Sequence, residues 1–307
     1  MSVLVTGASG QLASALLPLL LERGEPVYAL ARRPPPPRPG LVPVQGDVRA
    51  RNLGLGEELR DVKAVYHLAA LVDLGERKEK EVWETNVGGT DMVVGFCLDR
   101  GAKLYHLSTA YTQGLNAYEL SKKTAEEHVQ TVAKVHGLKV VVFKPSILVA
   151  PSNGAGPALG PFYQFVGAIC RVHRRAELVR RRVEGALGLP VLEPVFRIKG
   201  RGNLPLNLVP VDWVAEKIVQ TREPGTYYLT NLNSPTLNQL ARWIGEVLML
   251  RIRFLMRFRH SPLEALFERM TKPFAPYLRE SIYLPTSFTD CPPVARDFIQ
   301  RTVNSVL

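Results

Sequence analysis

Short apolar runs alternate with amphipathic stretches through the first 150 residues of the chain. The runs are rich in β-branched residues and predict strands at 3–6, 27–31, 41–45, 64–70, 103–109 and 138–143. The stretches between them have the spacing of helices, beginning with a leucine face at 12–21. Strands that alternate with helices form parallel sheets covered on both faces. The pattern therefore predicts an α/β fold with a doubly wound parallel sheet.

The pattern changes after residue 150. A glycine- and proline-rich loop at 151–161 precedes a helix at 162–182, and Thr236 is near the start of a second amphipathic helix at 236–250. Asp212 is predicted to cap a helix, and residues 227–229 form a short strand. We therefore expect a domain at 1–150 and a smaller, mostly helical region at 151–307, of which 204–230 returns to the first domain.

Composition and charge narrow the class of protein. The chain has 307 residues, of which 46% are apolar. No apolar run is long enough to span a membrane, so we expect no transmembrane helix. The first residues lack the pattern of a secretory leader, so none is expected. Three distant cysteines indicate reduced thiols, so we expect a cytoplasmic protein without a metal site. A formal charge of +11 favours acidic partners. Because nucleic-acid motifs are missing from the sequence, no nucleic-acid partner is expected.

A small-residue turn follows the first strand. Gly7 can adopt backbone angles closed to other residues, Gly10 admits a close ligand, and Ala13 lets the helix pack near the strand. The free N–H groups of the following helix, with its dipole, favour a bound pyrophosphate. At the start of a βαβ pattern, this turn predicts a dinucleotide site.

Two arginines follow the second strand, where NAD-preferring sites usually carry an acid. Arg32 and Arg33 would pair with a 2′-phosphate, so NADP is expected over NAD. After the third strand, Asp47 is placed to bind the adenine amino group, with Val48 beside the ring. A turn aspartate and two solvated arginines are the alternatives.

Two glycines lie inside the predicted helix that contains Asn86. Each costs about 1 kcal/mol relative to alanine, so the sheet or a cofactor must approach closely there. Asn86 is expected near the active site. His67, in the preceding strand, is expected to be a packed histidine and not a catalyst.

Tyr118 is the predicted proton donor. Lys122 lies four residues further on and therefore on the same helical face. A phenol has a pKa of about 10, and we expect the lysine and an oxidised nicotinamide to lower it. Tyr118 could then protonate a carbonyl oxygen. Thr109, at the end of the fifth strand, would hold the same oxygen.

These motifs together resemble the extended short-chain dehydrogenase/reductases. The matching residues are 6–13, 46–48, 67–70, 86–90, 108–110 and 118–122, and the resemblance covers residues 1–230. Within that superfamily, residues 106–111, 143–146 and 208–213 resemble the fatty acyl-CoA and thioester reductases. The resemblance implies a Rossmann-type NAD(P) domain followed by a substrate-binding region.

The predicted catalytic set is Thr109, Tyr118, Lys122 and Asn86. The predicted cofactor contacts are Gly7, Ser9, Gly10, Gln11, Leu12, Arg32, Arg33, Asp47, Val48, Leu68, Ala69, Ala70, Tyr118, Lys122, Lys144, Pro145 and Ser146. The expected reaction is NADPH-dependent reduction of an acyl thioester to an aldehyde or alcohol. A dehydrogenase or epimerase acting on a sterol-like or sugar-nucleotide substrate is the alternative, and a non-catalytic NADP sensor is a third.

Basic residues concentrate in the helix predicted at 162–182. They are Arg171, His173, Arg174, Arg175, Arg180, Arg181 and Arg182. Guanidinium groups suit the phosphates of coenzyme A or an acidic acyl carrier protein, and a solvated basic surface is the alternative. The aromatic and arginine-rich stretch at 251–267 is interpreted as a cap over an apolar pocket or as a surface for peripheral membrane contact.

Overall fold

A seven-stranded parallel sheet forms the centre of the molecule in a computed structural model that describes residues 2–56, 59, 61–153, 160–187 and 195–306. Its spatial order is β10-β6-β5-β4-β1-β2-β3. In chain order the strands are β1 (Ser2–Thr6), β2 (Val27–Ala31), β3 (Leu41–Gln45), β4 (Val62–His67), β5 (Lys103–Leu107), β6 (Val140–Pro145) and, after three strands outside this sheet, β10 (Gly225–Leu229). The predicted doubly wound α/β fold is confirmed.

Helices flank this sheet and form most of the second half of the chain. They are α1 (Gln11–Leu21), α2 (Glu79–Trp83), α3 (Gly89–Arg100), α4 (Ala117–His136), α5 (Pro161–Leu187), α6 (Val211–Gln220), α7 (Leu237–Leu248), α8 (Pro262–Met270), α9 (Ala275–Arg279) and α10 (Arg296–Val306). None of the helices in the described ranges is long and apolar enough to cross a membrane.

The order of the strands reverses between β1 and β4. The chain passes from β1 outwards to β2 and β3, and then returns to place β4 on the other side of β1. Crevices at such a reversal, beside the carboxyl ends of the strands, are where open α/β sheets bind ligands. The ends of β1, β4 and β5 therefore position the candidate site.

The second half of the chain contributes two further small sheets. They pair β7 (Ile147–Val149) with β9 (Leu208–Pro210), and β8 (Val195–Lys199) with β11 (Arg251–Leu255). A separate apolar core joins α5, α7, α8 and α10, with Phe165, Ile169 and Phe267 among its buried residues. The segment 204–230 contributes β10 to the main sheet and packs α6 against α1. The division at residue 150 remains a prediction.

Three local expectations need correction. Asp212 does not cap α6, because the helix begins one residue earlier at Val211, and its carboxylate instead accepts hydrogen bonds from Ser152. The helix around Asn86 contains a π-helical turn, Glu84–Gly88, between α2 and α3. Within the described residues the close neighbour of this helix is not the sheet, since a Cβ on Gly89 would lie 2.8 Å from Val48 Cγ2, in the loop after β3.

The stretch 251–267 forms β11 and the start of α8. Phe267 is buried in the second core and packs edge-on against Phe165, with the ring centres 5.7 Å apart. Leu255 and Met256 are partly exposed. The loop predicted at 151–161 is described only at its two ends, since residues 154–159 lie outside the described residues.

A buried ion pair links α4 to strand β6 of the main sheet. Lys144 Nζ in β6 lies 2.7 Å from Glu126 Oε2 in α4, and Ser108 Oγ donates to the same oxygen at 2.6 Å. Both charged residues are buried. Taking charges out of water is expensive, and the pair offsets that cost only while both partners remain.

Replacement of Glu126 alone should therefore destabilise the protein strongly. We expect Glu126→Leu to lower the free energy of unfolding by about 3–5 kcal/mol, because it leaves the Lys144 ammonium buried without its partner. Urea unfolding measures the loss. The double variant Glu126→Leu/Lys144→Met should recover most of it, and equal stability of the single and double variants would contradict this account.

Candidate active site

The turn between β1 and α1 lies directly against the end of β4. Gly7 has φ +69°, and a Cβ there would lie 2.7 Å from the backbone nitrogen of Ala69. The Gly10 N–H closes the turn on the Gly7 carbonyl at 2.9 Å. Gly10 also occupies the N-cap position of α1, where it offers no side chain to cover the first-turn N–H groups. The turn therefore has the open, narrow form that admits a phosphate.

A groove of two connected parts runs across this turn. One part, of about 380 Å³, contains Tyr118 and Lys122, and the other, of about 360 Å³, contains Arg32 and Asp47. Both parts include Gly7, Gly10, Leu68 and Ala70. The predicted residues that line one or both are Gly7, Ser9, Gly10, Gln11, Leu12, Arg32, Asp47, Val48, Leu68, Ala69, Ala70, Thr109, Tyr118, Lys122, Pro145 and Ser146.

Two buried polar atoms in this groove suit a dinucleotide. Gln11 Nε2 and Ser146 Oγ have no hydrogen-bond partner within the described part of the chain. Buried polar groups in proteins are nearly always hydrogen-bonded, so these two atoms indicate a polar ligand. Together with the open turn at Gly7, they fit a nicotinamide dinucleotide that spans both parts of the groove.

A cluster of charges forms the far end of the groove. Arg49 donates to Asp47 through Nε at 3.0 Å and Nη2 at 2.6 Å, and this hydrogen bonding holds the pKa of Asp47 below its usual value although burial opposes it. Arg32 lines the same part, whereas Arg33 is exposed and is not among the lining residues. Sequence reasoning missed Arg49, which stands two residues from Asp47 and is the second guanidinium there.

Thr109 and Tyr118 meet at the other end, beside the nicotinamide part of the groove. The Thr109 hydroxyl follows β5 and lies beside the phenol of Tyr118, which belongs to the first turn of α4. Burial raises the pKa of Tyr118 to about 12, and the nearby charge of Glu119 adds to the rise, while the Thr109 hydroxyl opposes it. In the protein alone Lys122 does not lower this pKa, and the lowering expected with a bound oxidised nicotinamide stays a prediction.

Lys122 lies beneath the site and is almost wholly buried. Its ammonium donates to the carbonyl oxygen of Leu107, at the end of β5. Burial lowers its pKa to about 8, and the Glu126 carboxylate only partly offsets this. Lys122 thus lines the groove as predicted, but its hydrogen bond fixes it to the sheet and not to Tyr118.

Asn86 supports the site from behind. Its side chain binds both the N–H of Leu71 at 2.8 Å and the carbonyl of Leu71 at 3.1 Å, and it donates to Ser121 Oγ in α4 at 3.0 Å. These contacts link the loop after β4 to the helix of Tyr118. They favour a positioning role, and the predicted catalytic role of Asn86 remains a prediction.

His67 and Lys144 are engaged inside the protein. His67 is buried between the hydroxyls of Thr6 and Thr90, at 2.8 and 3.0 Å, and burial lowers its pKa to about 3. It is a packed histidine, as expected. Lys144 is bound to Glu126 and does not line the groove, because its side chain lies on the α4 side of β6. Only the next two residues, Pro145 and Ser146, reach the groove.

An apolar cavity of about 80 Å³ opens beside Thr109 and Tyr118. The lining residues are Leu74, Thr109, Tyr111, Tyr118, Ile147, Pro161, Phe162, Phe165, Leu206, Phe274, Tyr277 and Leu278. No charged side chain lines it in the described part of the protein. Residues 274–278 cover the cavity, whereas 251–267 contribute nothing to its lining. These covering residues carry no local sequence signal that marks a site.

The first half of the chain matches a known protein family and a relative of known sequence. Residues 3–175 match the model of the family described as NAD dependent epimerase/dehydratase. "Sterol demethylase protein B" of Methylococcus capsulatus is 31% identical over 173 residues, a match that covers 49% of this chain and 52% of that protein. The chain thus matches only about half the length of this relative.

Two solved structures share the fold along nearly the whole chain. The terminal R domain of the myxalamid PKS-NRPS biosynthetic pathway superposes with a TM-score of 0.75, at 20% identity, covering 99% of this chain and 90% of that one. UDP-glucose 4-epimerase of Thermotoga maritima gives a TM-score of 0.67 at 17% identity, with coverage of 99% and 98%. At these identities the likeness concerns the fold.

Removal of the buried Lys122 charge should stabilise the protein at neutral pH. Because burial lowers its pKa from 10.5 to about 8, the unfolded chain binds more protons between these values, and stability rises with pH across that window. We expect Lys122→Met to gain about 1–3 kcal/mol below pH 8 and to lose this advantage towards pH 10.5. Chemical unfolding at a series of pH values measures the gain.

The exposed neighbour Lys123 provides the matched control. Lys123→Met should leave the stability nearly unchanged at every pH. A Lys122→Met protein that is less stable than the original at pH 7 would show that the hydrogen bond to Leu107 outweighs the cost of the buried charge.

Proposed function

Because the chain belongs to the NAD dependent epimerase/dehydratase family, we propose that it is an NADP-dependent reductase that converts an acyl thioester to an aldehyde or alcohol. Family membership makes it an NAD(P)-dependent oxidoreductase of the extended short-chain dehydrogenase/reductase superfamily. The proposal adds the substrate class, the direction of the reaction and the preference for NADP.

The apolar cavity next to Tyr118 carries this proposal. A sugar nucleotide presents hydroxyl and phosphate groups, and burying them without partners would be unfavourable. An acyl chain gains about 0.8 kcal/mol for each methylene that it buries. Thr109 and Tyr118 place two hydroxyls at the mouth of the cavity, where a carbonyl oxygen at the end of such a chain would lie.

The residues around that carbonyl have distinct tasks. The dinucleotide, when bound, supplies the hydride that reduces the carbonyl carbon. Tyr118 holds a proton on its phenol and donates it to the carbonyl oxygen. The hydroxyl of Thr109 lies beside that phenol and would bind the same carbonyl oxygen. Departure of the thiol from the reduced carbon leaves an aldehyde, and a second reduction gives the alcohol.

Residues of the groove would hold the dinucleotide. The first-turn N–H groups of α1 bind the pyrophosphate, and Asp47 and Val48 lie at the adenine end. Arg32 and Arg49 line the same part of the groove and would pair with a 2′-phosphate. Ser146 and Gln11 offer their unpaired polar atoms to the ligand.

The basic surface of α5 supports a coenzyme A or carrier-bound substrate. The helix begins at the active-site groove with Pro161, and its exposed arginines Arg171, Arg174 and Arg175 begin about 15 Å further along. Arg180 pairs with Glu177 at 3.3 Å, Arg182 is exposed, and the side chain of Arg181 lies outside the described residues. An acidic carrier protein would complement the positive charge of this surface.

A sterol-like ketone is the second candidate, and the apolar cavity and the 31% identity to a sterol demethylase protein favour it. The small volume of the cavity favours the narrow, flexible acyl chain over a rigid polycyclic ring system.

A substrate panel distinguishes these proposals. The protein is incubated with NADPH and, separately, with acyl-CoAs, ketosteroids and sugar nucleotides, and the loss of NADPH absorbance is followed. We expect consumption with acyl-CoAs, with the aldehyde or alcohol identified by mass spectrometry. Consumption with ketosteroids alone would replace the first candidate by the second, and tight NADPH binding without turnover of any member would favour a sensor.

Tyr118→Phe tests the proton donor in the same assay. We expect kcat to fall about 10²- to 10⁴-fold, because the variant keeps the ring but has no proton to donate. The dissociation constant of NADPH should change little. Tyr283→Phe is the control, since Tyr283 is 86% exposed.

The preference for NADP depends on Arg32 in this proposal. We expect Arg32→Asp to weaken NADPH binding roughly tenfold or more relative to NADH, because a charge-assisted hydrogen bond is replaced by repulsion. Cofactor fluorescence titration measures both dissociation constants. Arg33→Asp makes the same charge change outside the groove, so an equal shift in both variants would exclude a specific contact at Arg32.

A further inference from the structure

Glu119, the residue after Tyr118, has a carboxylate that is completely buried. Its Oε2 accepts hydrogen bonds from the N–H groups of Gly114 and Leu115 at 3.0 and 3.2 Å, and its Oε1 accepts one from the hydroxyl of Tyr277. Within the described residues it forms no ion pair. A buried carboxylate held by neutral donors is costly, so this arrangement calls for a reason beyond packing.

Tyr277 comes from α9, far along the chain from the catalytic helix. Its hydroxyl donates to Glu119 and accepts from Asn116 Nδ2 at 2.8 Å, and Asn116 is the N-cap of α4. Its ring lines the apolar cavity together with Tyr118 and lies edge-on to Tyr111, with centres 5.5 Å apart. Tyr277 therefore belongs to the segment that covers the cavity and also binds the first turn of α4 and its N-cap residue.

We propose that Tyr277 and Glu119 are positioning residues for Tyr118, which hold the N-terminal turn of α4 against the segment that covers the substrate cavity. Phenylalanine at 277 would fill the same wall, so the hydroxyl serves the contact with α4 and not the lining. This inference rests on the proposed function only for the proton-donor role of Tyr118.

The charge of Glu119 adds a chemical consequence. A negative charge beside a phenol disfavours the phenolate and raises the pKa of Tyr118, as the structure indicates. The carboxylate thus adds to the larger effect of burial, and both favour the protonated phenol from which Tyr118 would donate. The hydrogen bonds from Gly114 and Leu115 fix the position of this charge.

Hydrogen exchange tests the positioning role without a substrate. We expect Tyr277→Phe to raise amide exchange in residues 112–120 about tenfold, because the turn loses its contact with α9. The exposed Tyr283 provides the control, and Tyr283→Phe should leave that segment unchanged. Unchanged exchange in Tyr277→Phe would overturn the proposal even if the protein proves to be a reductase.

Turnover supplies the second measurement. We expect Tyr277→Phe to reduce kcat about tenfold while the dissociation constant of NADPH stays within twofold of the original, since the groove lies on the other side of Tyr118. A parallel loss of cofactor affinity would indicate general loosening of the structure and overturn the specific role. If no substrate is found, the proposed function fails while the exchange result still decides the positioning role.

Glu119→Gln removes the negative charge and keeps the acceptor of only one of the two carboxylate oxygens. Glutamine keeps the size and an acceptor oxygen but removes the negative charge, so the pKa of Tyr118 should fall. The alkaline loss of kcat should therefore move to lower pH, a shift that a merely structural residue would not cause. An unchanged or oppositely shifted pH profile would contradict the proposed role of Glu119.

Discussion

The close approach of two backbone segments at Gly7 sets the geometry of the whole site. A side chain there would collide with the main chain at Ala69, and the φ of +69° disfavours any other residue. Because the β1–α1 turn can lie against the end of β4, the part of the groove with Arg32 and the part with Lys122 share their lining at Gly7 and Ala70. The unpaired atoms of Gln11 and Ser146 then face a single ligand-sized space.

Sequence patterns predicted the main sheet well because its strands are continuous apolar runs between glycine turns. β2 and β3 have the predicted ends, and Thr236 lies at the predicted helix start, where its side chain accepts a hydrogen bond from a first-turn N–H group. The site residues predicted from the glycine turn and from the Tyr118–Lys122 spacing line the groove for the same reason. Each belongs to a short motif whose geometry is local.

The errors and omissions concern contacts that no local pattern encodes. Lys144 was placed in the groove by its sequence neighbours, yet alternation along β6 turns its side chain towards Glu126. Asp212 is of a residue type that often occupies the N-cap position, but it is the second residue of α6. Tyr277 reaches the site across 158 positions from Glu119, and such a pairing becomes visible only when the chain is folded.

Burial disfavours the charged forms of both ionisable groups of the candidate catalytic pair. It raises the pKa of Tyr118 and lowers that of Lys122, so the uncharged forms of both are favoured relative to water. A neutral phenol next to an apolar cavity is a proton donor in its resting state.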